Sequence, residues 1–477
     1  MGARAVAAGT AAAAVAVLLV ILGCGLLASA GDKASFAVAG LALLFVTGNT
    51  FACRWRSDFY ETEDTEWTAL RPGPAAAASA REPVRRPWLD RLRTVLVVLV
   101  VVGHAGVAYL GVGWIYTIGW YPSWYRPAAV AVFCVTKAWL VPMLYFVSGF
   151  LAPPALDRRG PHGYVRRLWW RLCPLFLVFW FGIGPSEMMV SRRFLTTPER
   201  AADYFPSDPV TWYLLWLLVF HNVHALMPET PQRTAVPRPT LGQLLKWVLP
   251  VAALQLAASA CTLFGGAGAL GLGTMPMGSP GDGLYNAMWF AGGVVACRNR
   301  WLDDPWPYET VNRARGLALV LAGVAIAASF VFLAPEPVVE LGSNSGTVLA
   351  FFLFVAQAPM GLLAVGASVA ILDASTRHGG GTRLSAGMTL LARGAMGAYL
   401  LHPWLVMALT FAYVRLLESW YPALTVTWDD PDTGSTTRLP SDGLLFAGFA
   451  FTAVTAVPAS FLVGNLLKSV PGLNLVL

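Results

Sequence analysis

An imidazole and a guanidinium eleven residues apart on one apolar segment are the pair in this chain best suited to chemistry. Arg93 ends the stretch Leu89-Asp90-Arg91-Leu92-Arg93, and ten further residues separate it from His104. At about 100° per residue, eleven steps return to within about 20° of the start, so a helix carries both side chains on one face, roughly 16 Å apart along its axis. A neutral imidazole in a partly dry site accepts a proton near neutral pH and acts as a general base. A guanidinium grips phosphate through paired hydrogen bonds. In hydrocarbon such groups are expensive, about 3 kcal/mol for Lys or Arg at mid-helix, so they face a cavity or a partner. The plainer readings are a snorkelling interfacial Arg93, a His104 bonded to a nearby carbonyl, and an Asp90 that caps its helix N-terminus.

The remaining polar residues at membrane depth are few: Lys137, Glu187, His221, His224 and His402. Lys137 lies eleven residues before Ser148, so both face one direction. Arg158, Arg159, Arg166, Arg167 and Arg171, set against Asp157 alone, form a basic segment able to cradle phosphate; a stop-transfer signal is its simpler reading. The Ser148-Gly149 pair lets helices approach closely. His402 precedes Pro403, which has no backbone N–H and so releases a carbonyl one turn earlier; His402 either satisfies local backbone or lines an acceptor cavity. His221 and His224 have a metal-binding spacing but no third ligand beside them, so no metal is expected.

These residues sit in a chain of 477 residues that is 56% hydrophobic and 12% charged, about half the charge of a soluble protein. Its apolar residues come in blocks of about 20, the length needed to cross roughly 30 Å of hydrocarbon. Twelve spans follow: Val6 to Ala28, Ala34 to Ala52, Thr94 to Val112, Ala128 to Ala152, Leu172 to Val190, Val210 to Met227, Trp247 to Phe264, Leu284 to Cys297, Gly316 to Leu333, Gly346 to Leu372, Gly394 to Val414 and Gly443 to Leu467. One set of alternating connections holds 25 of the 33 Lys and Arg, the other 7, and Lys137 lies within a span. The positive-inside rule then places both termini in the cytoplasm and makes the net charge of +7 a topology signal, with no nucleic-acid partner. The fold class expected is all-α, a polytopic bundle. Residues 1–52 supply two leading helices, the first ending in the signal-like Ala28-Ser29-Ala30, and 53–87 a mixed-charge linker; 88–470 form one ten-helix unit. Six cysteines without a CxxC pair leave the redox compartment unread.

Six stretches occur in a telling order. They are Asp90-x-x-Arg93-x10-His104; Phe146-Val147-Ser148-Gly149-Phe150; Arg171-Leu172-x-Pro174; Trp212-Tyr213-Leu214-Leu215; Trp289-Phe290-Ala291-Gly292-Gly293 leading to Asn299-Arg300-Trp301-Leu302; and Ala398-Tyr399-Leu400-Leu401-His402-Pro403. This ordered set, over about Pro87 to Val470, resembles the membrane-bound acyltransferase 3 family, whose core also has ten spans. The serine-glycine stretch lacks one residue usual in that family, and the arginine spacing before Arg171 is looser. The resemblance implies transfer of an acyl group, commonly acetyl from acyl-CoA, to a hydroxyl of a carbohydrate or lipid-linked acceptor among membrane lipids, with no bound cofactor. In that reading His104 is the general base, or carries a transient acyl-imidazole, and Arg93 holds a donor phosphate, with Asp90 orienting it. Arg166, Arg167 and Arg171 bind further phosphates, and Ser148 and His402 contact substrate.

A twelve-helix secondary transporter is the rival. Asp157-Arg158-Arg159-Gly160 resembles a loop of the major facilitator class, but Pro161-His162 replaces the basic residues expected next, the loop follows the fourth span instead of the second, and no second copy occurs.

Overall fold

The computed structural model describes residues 86–110, 118, 123–184, 186, 210, 212–227, 236–264, 280–333, 360–378, 384–422, 426–430, 434–438 and 441–469. The two leading spans, the linker up to residue 85 and Glu187 lie outside the described residues. Pro87 opens the first described helix, α1 (Pro87–Val107), where its fixed φ and missing N–H cost nothing. Arg86 occupies the N-cap position without a side-chain cap. Asp90 therefore does not cap the helix, as one sequence reading had it; it sits in the first turn, where the helix dipole favours a carboxylate. The buried stripe Leu89, Leu92, Leu96, Val97 and Val100 follows helical spacing and turns the same side of α1 as His104 toward the bundle.

The next helix, α2 (Tyr125–Val178), holds both the fourth predicted span and the start of the fifth. Gly160, at φ 67° and ψ 166°, breaks it into two helical runs, a conformation open to glycine and strained for any other residue. The segment read as a basic connecting loop is thus helical on both sides of one glycine. Asp157 accepts one hydrogen bond from each terminal guanidinium nitrogen of Arg298, at 2.6 and 2.7 Å, so the transporter-like tetrapeptide is accounted for by a turn and a surface ion pair. A π-helical segment, Phe179–Ile183, extends α2.

There follow α3 (Trp212–Leu226), α4 (Leu241–Phe264), α5 (Pro280–Arg298), α6 (Tyr308–Leu333), α7 (Met360–His378), α8 (Ala386–Trp420) and α9 (Asp442–Ser469). Among the described residues, α2, α6, α7, α8 and α9 are long and apolar enough to cross a membrane, while α3 and residues 241–253 of α4 are shorter apolar helices. The outward faces confirm the solvent: Leu319, Val320 and Val324 on α6 and Val454, Leu462 and Leu466 on α9 are all more than half exposed, an arrangement that lipid tails cover and water would oppose. Between α8 and α9 the chain departs from the all-helical expectation. Strands β1 (Val426–Asp430) and β2 (Gly434–Arg438) pair antiparallel, Trp428 opposite Thr436, where β-branched and aromatic residues favour extended backbone.

Side by side, α8 and α9 pack closely, as do α2 with α5 and α6 with α7. Small residues permit it, since hydrophobic burial does not draw helices together in lipid and close contact must. A Cβ added to Gly397 would lie 2.5 Å from the Gly464 Cα. One at Gly293 would lie 2.1 Å from the Phe146 carbonyl oxygen, and one at Gly149 2.0 Å from that of Phe290. The two glycine-bearing stretches singled out in sequence are therefore the two sides of a single helix crossing. Gly293→Val should lower the thermal midpoint in detergent, at a cost of about 3 kcal/mol or more from forced separation, whereas Gly323→Ala, which meets nothing within 4 Å, should be neutral or mildly stabilising. Equal behaviour of the two in a fluorescence-detected melt would refute the tight crossing.

Candidate active site

The deepest polar contact joins α1 to α8. His104 Nδ1 lies 2.9 Å from His402 Nε2, with ring centroids 4.7 Å apart and planes tilted by 33°. His402 is fully buried. Its Nδ1 donates to the Tyr399 carbonyl at 2.6 Å, the carbonyl whose helical donor Pro403 removes. His402 thus satisfies local backbone, as one sequence reading expected, and its ring meets His104 as well. On the other side, His104 Nδ1 also lies 3.1 Å from the Val100 carbonyl one turn back.

A row of tyrosines runs from this pair toward Arg93. The Tyr399 ring centroid is 6.0 Å from that of His402 and 5.3 Å from that of Tyr213. Tyr145 lies against Tyr213 at 4.8 Å. Each phenol has a partner, as buried Tyr requires: Tyr399 donates to the Val210 carbonyl at 2.9 Å, Tyr145 to the Tyr213 carbonyl at 3.4 Å, and Tyr213 shares a hydrogen bond with Ser148 at 3.3 Å. Ser148 thus holds Tyr213, whose hydroxyl lies within electrostatic reach of Arg93. These three tyrosines escaped the sequence reading. Two of them stand in stretches it quoted, and the available signal was a phenol in an apolar span, which must find a buried partner.

At the Arg93 end, cations from several helices crowd together. Arg171 of α2 feels the charges of Arg93 and Arg167, and Lys468 of α9 feels those of Arg171, Arg93 and Arg393 of α8. No carboxylate of the described residues lies within ion-pair distance of Arg93, Arg171, Arg393 or Lys468. Like charges gathered in this way repel one another until an anion joins them. Of the arginines predicted to bind phosphate, Arg93, Arg167 and Arg171 belong to this cluster. Arg166 is exposed. Nor does an ion pair link Asp90 to Arg93 among the described residues; the Asp90 carbonyl instead accepts the Thr94 hydroxyl at 2.8 Å. Nothing in the sequence distinguishes Lys468 or Arg393 from an ordinary cation beside an apolar span.

The other polar residues have local roles. His221 shares a short hydrogen bond with the Tyr164 hydroxyl across α2 and α3, and beside it Asn222 accepts from the Trp169 indole at 3.1 Å. Among the described residues no group of three possible metal ligands occurs. Lys137 is exposed, with its charge within reach of His104. The Asn299-to-Leu302 stretch forms the end of α5: Arg300 adopts a left-handed conformation at φ 57°, and the Trp301 and Arg300 amides close back on Ala296 and Cys297. Asn299 and Trp301 then bind the two sides of the Val236 backbone, at 2.7 and 2.9 Å.

A lipid-covered helical bundle with a buried histidine pair and a cationic end defines an integral membrane protein built around a polar core. Residues 86–464 match the acyltransferase 3 family, described as an acyltransferase domain, and the chain belongs to that family of membrane acyltransferases. No curated protein is significantly similar to the chain.

If the cations share one anion site, removing one relieves repulsion. Lys468→Gln should raise the thermal midpoint of the ligand-free protein by ~1–2 °C, the shift expected from about 0.5 kcal/mol of like-charge relief. The same variant should show a smaller upward shift on addition of pyrophosphate. An undiminished pyrophosphate shift would mean that Lys468 lies outside the site.

Proposed function

We propose that this protein transfers an acyl group, acetyl in the simplest case, from acyl-CoA to a hydroxyl of a carbohydrate or lipid-linked acceptor. The observation that carries this reading is a single helix, α1, with His104 in the polar core at one end of its inner face and Arg93 about 16 Å away at the other, in a cation cluster that no carboxylate of the described residues pairs with. A CoA donor has that shape: phosphates at one end, a reactive thioester at the far end of a long arm. Arg93, Arg171 and their neighbours bind the phosphates. The thioester then lies along the tyrosine row, within reach of His104.

His104 removes the acceptor's hydroxyl proton as the oxygen attacks the thioester carbonyl, a step worth about 10²- to 10⁴-fold. The tetrahedral intermediate collapses with cleavage of the carbon–sulfur bond, and the imidazolium returns its proton to the departing thiolate. The products are an ester and free CoA thiol, and the histidine ends as it began. Ser148 serves this scheme by positioning Tyr213, which lines the route between the two ends. Membership of an acyltransferase family and the absence, among the described residues, of a carboxylate partner at the cations both support this reading.

The test uses purified protein in lipid vesicles, acetyl-CoA labelled in the acetyl group, and a panel of glycan acceptors. Wild-type protein should move label to an acceptor and release CoA thiol. His104→Ala should lose at least about 100-fold in turnover. Arg93→Gln should raise the KM for acetyl-CoA about tenfold while lowering kcat less, since a lost phosphate contact weakens donor binding first. Label transfer that survives His104→Ala would remove His104 from the chemistry, and substrate accumulation inside sealed vesicles without acylation would identify a transporter.

A further inference from the structure

Histidine has two neutral forms, and only one presents a given nitrogen as a base. The structure fixes that choice through a chain of hydrogen bonds. A carbonyl can only accept, so the 2.6 Å contact with the Tyr399 carbonyl requires His402 Nδ1 to carry its proton. In neutral His402 the other nitrogen, Nε2, is then an acceptor, and it faces His104 Nδ1 at 2.9 Å. His104 Nδ1 must in turn be the donor there, which agrees with its 3.1 Å approach to the Val100 carbonyl. Both acceptors thus converge on one proton, and they leave Nε2 as the proton-accepting nitrogen of His104. The origin of the sequence is Pro403. Its missing N–H leaves the Tyr399 carbonyl to the imidazole, and that bond orients the imidazole.

We propose that His402 is a positioning residue that, held by the carbonyl Pro403 releases, locks His104 into the Nδ1–H form and so makes His104 Nε2 the base. The proposal rests on the assignment of His104 given above and adds the residue that sets its protonation. The electron count is simple. The acceptor's proton forms a bond to His104 Nε2 while the oxygen–hydrogen bond breaks. The imidazolium so formed keeps its Nδ1–H directed at the His402 lone pair, which steadies the new charge without itself taking a proton, and the thiolate later removes the Nε2 proton. His402 touches neither substrate nor reacting atom. Among the described residues, Lys137 of α2 is the charged side chain whose field reaches His104, and it is exposed on the outside of the bundle.

The test reads the protonation state directly, so it needs no known acceptor. The chain has 6 histidines. Protein labelled with ¹⁵N in its histidine rings and reconstituted in lipid gives well-separated nitrogen signals for bare and protonated ring positions, assigned by single histidine substitutions. Wild-type His104 should show a protonated Nδ1 and a bare Nε2. His402→Leu removes the acceptor, and His104 should revert to a mixture rich in the Nε2–H form. His402→Gln keeps an acceptor oxygen near the lost Nε2 and should largely restore the wild-type pattern.

Because His402→Leu also deprives the Tyr399 carbonyl of a donor, the double variant His402→Leu with Pro403→Ala supplies a backbone N–H in its place. That variant should regain thermal stability and still show the altered His104 signals. In acetyl-transfer assays it should stay about 100-fold down in kcat with an unchanged KM for acetyl-CoA, and His402→Gln should recover most of the loss. A wild-type His104 protonated at Nε2, or unaltered His104 signals in the double variant, would overturn the proposal. If His104→Ala abolishes transfer while the double variant retains full turnover, the positioning role falls and the base assignment stands. Should His104→Ala leave transfer intact, the base assignment falls by itself, whatever the ring signals show.

Discussion

Pro403 withholds one backbone hydrogen from the Tyr399 carbonyl, and much of the polar core is arranged around that deficit. In hydrocarbon no water can make good a missing donor, and an unmet carbonyl costs several kcal/mol. His402 meets it, which pins the imidazole by one nitrogen and aims the other across to α1. A soluble helix kinked by proline has solvent at hand and needs no such arrangement. In lipid the same kink becomes a fixed point from which a side chain can be oriented, and the proposed base, His104, stands opposite it.

Everything around this pair keeps two helix faces in contact. The Gly394, Gly397 and Gly464 contacts draw α8 onto α9, and α9 also packs on α1, so the faces carrying His104 and His402 are held from behind. Tyr109 hydrogen-bonds Thr452 of α9 at 2.8 Å, and Tyr125 donates to the Gly106 carbonyl at 2.8 Å, both close to the end of α1 that bears His104. At the α2 N-terminus, Asp442 accepts from Ser123 Oγ and from the Trp124 and Tyr125 amides, a cap supplied by a different helix. These bonds fix the depth of α1 against α2 and α9, and so the height at which His104 meets His402.

How much of this was legible in the sequence depends on the range of the interaction. The membrane class, the helical core and the shared face of Arg93 and His104 follow from local periodicity, which one chain displays in full. The role of Gly149 in close packing was also legible in kind, though not that it meets Gly293 in one crossing. What could not be read was pairing across helices. The His104 to His402 bond spans 298 positions, and the tyrosine row draws on three separate helices, so no spacing rule within a segment finds them. The connection through Gly160 shows a subtler failure. Charge density marked it as a loop, yet long basic side chains leave helical backbone undisturbed, and one glycine suffices to break the run.

The cation cluster and the histidine pair also explain each other's placement. A base acting on an uncharged hydroxyl is weakened by each nearby cation, because positive charge disfavours imidazolium formation; His104 already lies within reach of the Lys137 charge, so a whole cluster of cations beside it would be worse. A phosphate site needs the opposite, several cations with little competing carboxylate. One helix can supply both only if the two lie far apart along it, and the three turns between Arg93 and His104 give that separation, with Tyr145, Tyr213 and Tyr399, which carry no net charge, ranged between them. In the proposed reaction the long arm of a thioester donor matches in length a gap that the electrostatics already require. A donor whose charged and reactive ends were adjacent would have to bring its anion to the imidazole or its acyl carbon to the arginines, and neither end of α1 is built to receive both.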